Sequence, residues 1–531
     1  MTRGRLWMRA RTRLAAVVLI GSVATVVSAP ANAATLASPT VPKLAWRPCA
    51  SPDQKGFDCA TTRVPLSYEH PRRATIHLAL IRHRASNPAH RIGTLFFNPG
   101  GPGGRGVASL PAVYDYFPVS LRARFDIASW DPRGIGESTA VQCFSSQRAE
   151  ERFFAPLKGF PVNRAEKNRW IRRFREFGRR CARRNGSVLR HVSTADTARD
   201  LNLLRRAVGD PKLNYFGVSY GTSLGATYAN LFPSRVRALA LDGDVNPAAW
   251  THRRINANGG RFLTTFLRQR SDQGAAKTLD AFLGRCGRAD TAQCAFSAGG
   301  ATATRAKFAA LLRRLREKPQ SADVTYAELV SKTISALYYS AAWPDIAKML
   351  QDVWTTGTAS HSVPASPLPG PPGVGLTASA DQAYAGVEQG GAVLCSESPN
   401  PGPAGYRGLD SFAFDRSGPA GPYWLWSSAA CADWPATAAD RYAGPWSRPT
   451  ANPILLIGNS HDPATPYRGA VAMARQLARA RLLTVDGYGH SALLNTSTCA
   501  NDYESRYFIH GRLPPKGARC SQDIPPFSGA P

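Results

Sequence analysis

The sequence predicts an α/β fold: a mainly parallel sheet with flanking helices, interrupted by an inserted, mostly helical cap. Three observations predict it. Short apolar runs alternate with amphipathic segments over residues 46–244. The alternation lapses over 245–442, where helical patterns and a Pro/Gly-rich loop (362–375) replace it. It resumes over 443–527. Strand–helix alternation of this kind builds an open parallel sheet, and the break marks an insertion into one sheet domain.

In chain order, TTRVPLSY and ATIHLALIRHRA read as the strands of an opening hairpin. IGTLFF is a strand entering the glycine-rich loop NPGGPGGRG, and RFDIASW is a strand entering the turn DPRGIGES. A basic helix covers about 163–185. STADTARDLNLLRRAVG is an amphipathic helix with a cap at Ser193 or Thr194. LNYFGV is a buried strand and SLGATYANLF the helix after it; VRALALD is the next strand. PILLIG, a helix near 469–480 and RLLTVD complete the pattern.

The first 33 residues stand apart. Five arginines without an acid precede a 14-residue apolar run (14–27), and small residues follow at Ala31 and Ala33. This is the pattern of a secretory signal peptide over 1–33, and the run is too short for an ordinary membrane span. Export to an oxidising compartment fits ten cysteines, all beyond that point. Pairing of sequence neighbours (49/59, 143/181, 286/294, 395/431, 499/520) is the simplest connectivity, and spacing leaves others open. No CxxC occurs, which argues against zinc or thioredoxin-like chemistry.

Formal charge is +30, or +25 without the five leader arginines. No nucleic-acid motif accompanies it, so nucleic acid is not expected as a partner. The dense patch RAEKNRWIRRFREFGRRCARR reads as a solvated helix face or as a site of weak attraction to an anionic cell surface.

The chemistry centres on GVSYG. A strand precedes this GxSxG and a helix follows it, which is the setting of a nucleophile elbow presenting Ser219. A serine hydroxyl needs a base oriented by an acid. His490, in GYGHS after the last strand, is the base. Asp462, in NSHDPATP, is the acid; Asp242, at the end of VRALALD, is its rival one strand earlier. The backbone N–H groups of Gly101 and Tyr220 are the expected oxyanion donors, with Gly100 close behind Gly101. No GKS or GKT follows the glycine loop, so it is not a P-loop. DPRGIGES reads as a structural turn, and His461 as a loop histidine.

NPGGPGG, WDPRGIGES, YFGVSYGTSLG, LDGDVNP, NSHDPATP and GYGHS together resemble the secreted tripeptidyl aminopeptidases of actinobacteria, α/β-hydrolases related to prolyl aminopeptidases. The resemblance runs from about Trp46 to Phe527. One departure is Pro99, where prolyl aminopeptidases place a histidine in the glycine loop. The resemblance implies a serine exopeptidase with Ser219, His490 and Asp462 as its triad. It would act on peptides with free N-termini and need neither a metal nor an organic cofactor. It further implies a cap over the site with an acid for the substrate ammonium. Glu397 and Glu388 are the candidates, although each also reads as an ordinary surface acid. The rival functions are an esterase on the same fold, a non-catalytic binding protein and a basic cell-wall adhesin.

Overall fold

The structure, a computed structural model, describes residues 39–253, 261–318, 324–364 and 386–528. The signal-peptide reading and most of the Pro/Gly-rich loop lie outside the described residues. Ten strands form one sheet: β1 (Arg47–Pro48), β2 (Asp58–Pro65), β3 (Thr75–His83), β4 (Gly93–Asn98), β5 (Phe125–Trp130), β6 (Leu213–Val218), β7 (Val236–Asp242), β8 (Ile454–His461), β9 (Ala480–Tyr488) and β10 (Arg519–Ser521). Their order is β1-β2-β3-β5-β4-β6-β7-β8-β9-β10. The opening hairpin pairs antiparallel through β3 onto β5, and every pairing beyond β5 is parallel.

Parallel strands buried on both faces need apolar side chains at nearly every position. β4, β5 and β6 are buried throughout. Alternate residues sort to opposite faces, as the period of two requires. Leu95, Phe97, Phe216 and Val218 enter one core with the helices Gly106–Val113 and Thr498–His510. Phe96, Tyr215, Leu239 and Leu241 enter the other with Thr194–Ala207 and Tyr220–Leu231.

Between β7 and β8 the described residues form helices and no strand of the sheet. Their side chains share a third core with the helix Arg164–Asn185, which precedes the elbow in sequence. Trp170 of that helix meets Trp426 with ring centroids 6.0 Å apart. All ten cysteines pair, each with its sequence neighbour. Cys499–Cys520 ties the helix Thr498–His510 to β10, a three-residue strand with no pattern of its own.

The turn after β5 is held from beneath by Arg133, which is 1% exposed. Its Nε and Nη2 each donate to Asp200 at 2.7 Å, and its remaining protons reach the carbonyls of Pro65, Leu66 and His191. One guanidinium thus joins the opening hairpin, the DPRGIGES turn and the helix Thr194–Ala207. Removing one partner of a buried ion pair strands the other, at about 3–5 kcal/mol. Arg133→Ala is expected to lose that much stability in denaturant unfolding with disulfides intact; a loss below about 1 kcal/mol would show the pair to be dispensable.

Candidate active site

β6 turns into the helix Tyr220–Leu231 in a single residue. Ser219 makes the turn at φ 58°, ψ −124°. This left-handed backbone costs a residue with a Cβ about 1–3 kcal/mol and persists only where its surroundings enforce it. Here they do. Ser219 N–H donates to Asp242 O (3.0 Å), which extends the ladder with β7 by one residue. A Cβ on Gly217 would lie 2.5 Å from Gly221 O, and one on Gly221 would lie 2.8 Å from Asn98 O. Both flanking glycines are therefore required by close approach of backbone.

Asp462 leaves the end of β8 and His490 lies two residues beyond β9. Their side chains meet, with His490 Nδ1 2.8 Å from Asp462 Oδ2, and they are 1% and 2% exposed. A carboxylate acceptor puts the proton on Nδ1 and leaves Nε2 with its lone pair. Nε2 is buried and has no hydrogen-bond partner among the described residues. Asp462 Oδ1 accepts the N–H groups of Ala464 and Thr465, both at 2.8 Å. Thr465 Oγ1 donates to Asp462 Oδ2 (3.0 Å) and lies 3.3 Å from His490 Nδ1. Tyr338 closes the other side: its ring stands edge-on to the imidazole at 5.0 Å, and its carbonyl accepts His490 N–H at 2.8 Å.

Ser219 and Thr465 line one cleft. The structure thus joins Asp462 to His490 directly and sets Ser219 on the same cleft; no hydrogen bond connects its hydroxyl to the imidazole. Thr465 escaped the sequence reading, although its place three residues after Asp462 in a tight turn is a usable signal. Asp242, the rival acid, turns elsewhere: its oxygens accept the N–H groups of Ala492 (3.0 Å) and Leu493 (2.9 Å), just past His490. His461 stacks on Tyr488, with centroids 4.7 Å apart.

Gly101 lines the cleft beside Ser219 and Tyr220. The neighbouring Gly100 packs on the elbow, since a Cβ there would sit 2.8 Å from Ser219 Cβ and 3.1 Å from Tyr220 N. Tyr220 opens its helix, so its N–H is among the donors without an intrahelical acceptor. The stretch between β7 and β8 contributes an aromatic wall of Trp250, Phe266, Tyr338 and Trp424, with Val245, Gln269 and Ser271 beside it.

Glu388 and Glu397 are 0% and 3% exposed, so the reading of either as an ordinary surface acid is wrong. Distant donors explain the burial. Glu397 accepts Thr194 N–H (2.8 Å), Thr194 Oγ1–H (2.5 Å) and Trp250 Nε1–H (2.6 Å), while Glu388 accepts Cys143 N–H (2.7 Å). Thr194 Oγ1 also meets Tyr220 OH at 2.5 Å, so Glu397 braces two residues of the cleft wall from behind.

Burial pushes the Asp242 carboxyl up to about 6, against the pull of its two amide donors. Its unfolded value is near 3.9. Its contribution to stability is complete below about pH 4 and is lost as pH rises through 6, a change of at most about 3 kcal/mol. The fall in melting temperature between pH 4.5 and 7.5 should therefore be smaller in Asp242→Asn than in the parent; an equal fall would refute the assignment.

Two families match the chain: one described as alpha/beta hydrolase fold, over residues 93–346, and one described as TAP-like protein, over 417–520. The tripeptidyl aminopeptidase of Streptomyces lividans is 31% identical over 505 residues, covering 91% of this chain and 87% of that protein. The serine protease Hip1 of Mycobacterium bovis is 29% identical over 544 residues, 95% of each chain. The carboxylesterase B of Mycobacterium tuberculosis is 30% identical over 516 residues, 93% of each. With its sheet, elbow and cleft in place, the chain belongs to the tripeptidyl aminopeptidase family, serine peptidases on the α/β-hydrolase fold.

Proposed function

We propose that the protein is an exported serine exopeptidase that releases short peptides, tripeptides in particular, from free N-termini. The observation that carries this reading is the hydrogen-bonded Asp462–His490 pair beside the strained Ser219. Ser219 Oγ attacks the scissile carbonyl carbon, and His490 Nε2 takes its proton. Asp462 holds the imidazole and stabilises its cation. The N–H groups of Gly101 and Tyr220 receive the developing oxyanion at the N-terminus of a helix, where partial positive charge favours it. His490 then protonates the leaving amine, and water releases the peptide by the reverse sequence.

Export is supported by the leader pattern and the five disulfides. Among the described residues no helix is long and apolar enough to cross a membrane. The peptide specificity comes from the family: the Streptomyces lividans relative is named for it.

A second reading, an esterase for small acyl groups, has its own support. The cleft at Ser219 encloses only ≈30 Å³, room for about two waters, and its described lining includes no carboxylate for an ammonium. Admitting a tripeptide requires the aromatic wall to move; a small apolar acyl group needs less.

Ser219→Ala is expected to lower kcat by at least about 10³-fold with an unchanged circular dichroism spectrum. Peptides of one to four residues ahead of a chromogenic amine, free or acetylated at the N-terminus, separate the two readings. Free tripeptides should be cleaved best, and acetylation should cut kcat/KM by about 30-fold or more. Equal cleavage of blocked and free peptides would end the exopeptidase reading, and turnover of esters alone would establish the second.

A further inference from the structure

We infer that the exposed face of the helix Arg164–Asn185 is a docking strip for a linear phosphate polymer. The helix carries nine arginines, one lysine and two glutamates. Its apolar side (Trp170, Ile171, Phe174, Phe177, Cys181) is buried, which fixes the orientation of the rest. Arg169, Arg172, Arg179 and Arg183 are exposed and have no hydrogen bond or ion pair among the described residues. They span 15 residues, about 21 Å at the rise of an α-helix.

Both acids are engaged. Glu166 caps the helix through Val162 N–H and Asn163, and Glu176 holds Arg180 at 2.6 Å. Like charges three and four residues apart repel and disfavour the helix, so the strip gains stability from a bound anion.

The surface is concave. A hollow of ≈590 Å³ is lined by Arg169, Arg172, Arg173, Arg175 and Arg179 together with Glu176, whose carboxylate is held by Arg180, and a second of ≈270 Å³ by Arg180, Arg183 and Arg184 beside Phe144. Arg173 and Arg180 are held over the Phe153 ring, at 4.7 and 5.0 Å from its centroid.

Four points select the occupant. Arg169 and Arg172, three residues apart on the helix, line the same hollow, which brings two guanidinium forks to one space. A tetrahedral phosphate can engage both, whereas one fork already takes the two oxygens of a carboxylate. The length of the strip exceeds a single ion and suits a chain. Phe144, Phe153 and Trp170 are only 4%, 7% and 7% exposed, so these rings offer no platform for nucleobase stacking. Val162 is the one large apolar side chain exposed at this helix, too little to anchor a bilayer.

The test uses the full chain and inorganic polyphosphate. Affinity should fall linearly with log salt at a slope of about −3, the release expected for four neutralised phosphates on a flexible chain. The quadruple Arg169→Glu, Arg172→Glu, Arg179→Glu, Arg183→Glu should weaken binding at least about 10-fold with cleavage of a small reporter substrate unchanged. If the quadruple does not fold, each single Arg→Gln variant should reduce the slope by about 0.7. Undiminished binding in the variants would assign the effect to overall charge and overturn the site. Equal affinity for poly-glutamate of matched charge, or tighter binding to anionic phospholipid vesicles, would overturn the phosphate polymer as its ligand.

Discussion

Everything at the site depends on one backbone constraint, the left-handed conformation of Ser219. β6 is central in the sheet and passes into the helix Tyr220–Leu231 through Ser219 alone. A chain of hydrogen bonds locks the result. Thr222 Oγ1 donates to Ser219 O at 2.6 Å, and Val245 N–H donates to Thr222 Oγ1 at 3.0 Å. The start of the inserted stretch is thereby tied to the elbow. Strain of about 1–3 kcal/mol is affordable only because these bonds and the flanking glycines leave no relaxed alternative.

The second constraint is long-range. The helix Val387–Glu397 lies against the loops that serve the elbow. Glu388 accepts Cys143 N–H, and Gln389 accepts Gly136 N–H at 2.9 Å. Gly390 backs directly onto the glycine loop: a Cβ on Gly103 would lie 2.8 Å from Gly390 Cα. Glu397 takes Thr194 and Trp250. The loop that carries Gly101 is therefore packed from outside by a segment almost 290 positions later. Placement of the proposed oxyanion donors and closure of the cleft are one packing problem, and movement of this helix to admit substrate would be felt at both.

What was legible in the sequence follows this division. The strands, the elbow serine, and the acid and histidine at successive strand ends are local signals, since periodicity and turn residues mark each within ten positions. The short helix Gly106–Val113 was missed because Pro111 and its glycine-rich approach read as loop. β10 was missed because three residues carry no period. Glu388 and Glu397 were misread as surface acids because their donors lie 245, 203 and 147 residues away. A buried carboxylate is recognisable only with its donors beside it.

The sorting of the acids near the imidazole shows why strand position, rather than residue type, decides their roles. Asp242 and Asp462 both leave the C-terminal ends of parallel strands toward the loop of His490. Asp242, on the inner strand, meets that loop beyond the histidine, where it accepts the N–H groups of Ala492 and Leu493. Asp462, one strand further out, meets the imidazole itself and is gripped by Ala464, Thr465 and the threonine hydroxyl. Asp244 and Glu504 are also buried here, and burial pushes both carboxyls far up. Two anions side by side in so dry a region would repel strongly. Burial and, to a lesser degree, the charge of Asp462 raise Asp242 to about 6, so this repulsion falls away only below that pH. One aspartate thus anchors the backbone that carries the histidine, and the other orients its ring.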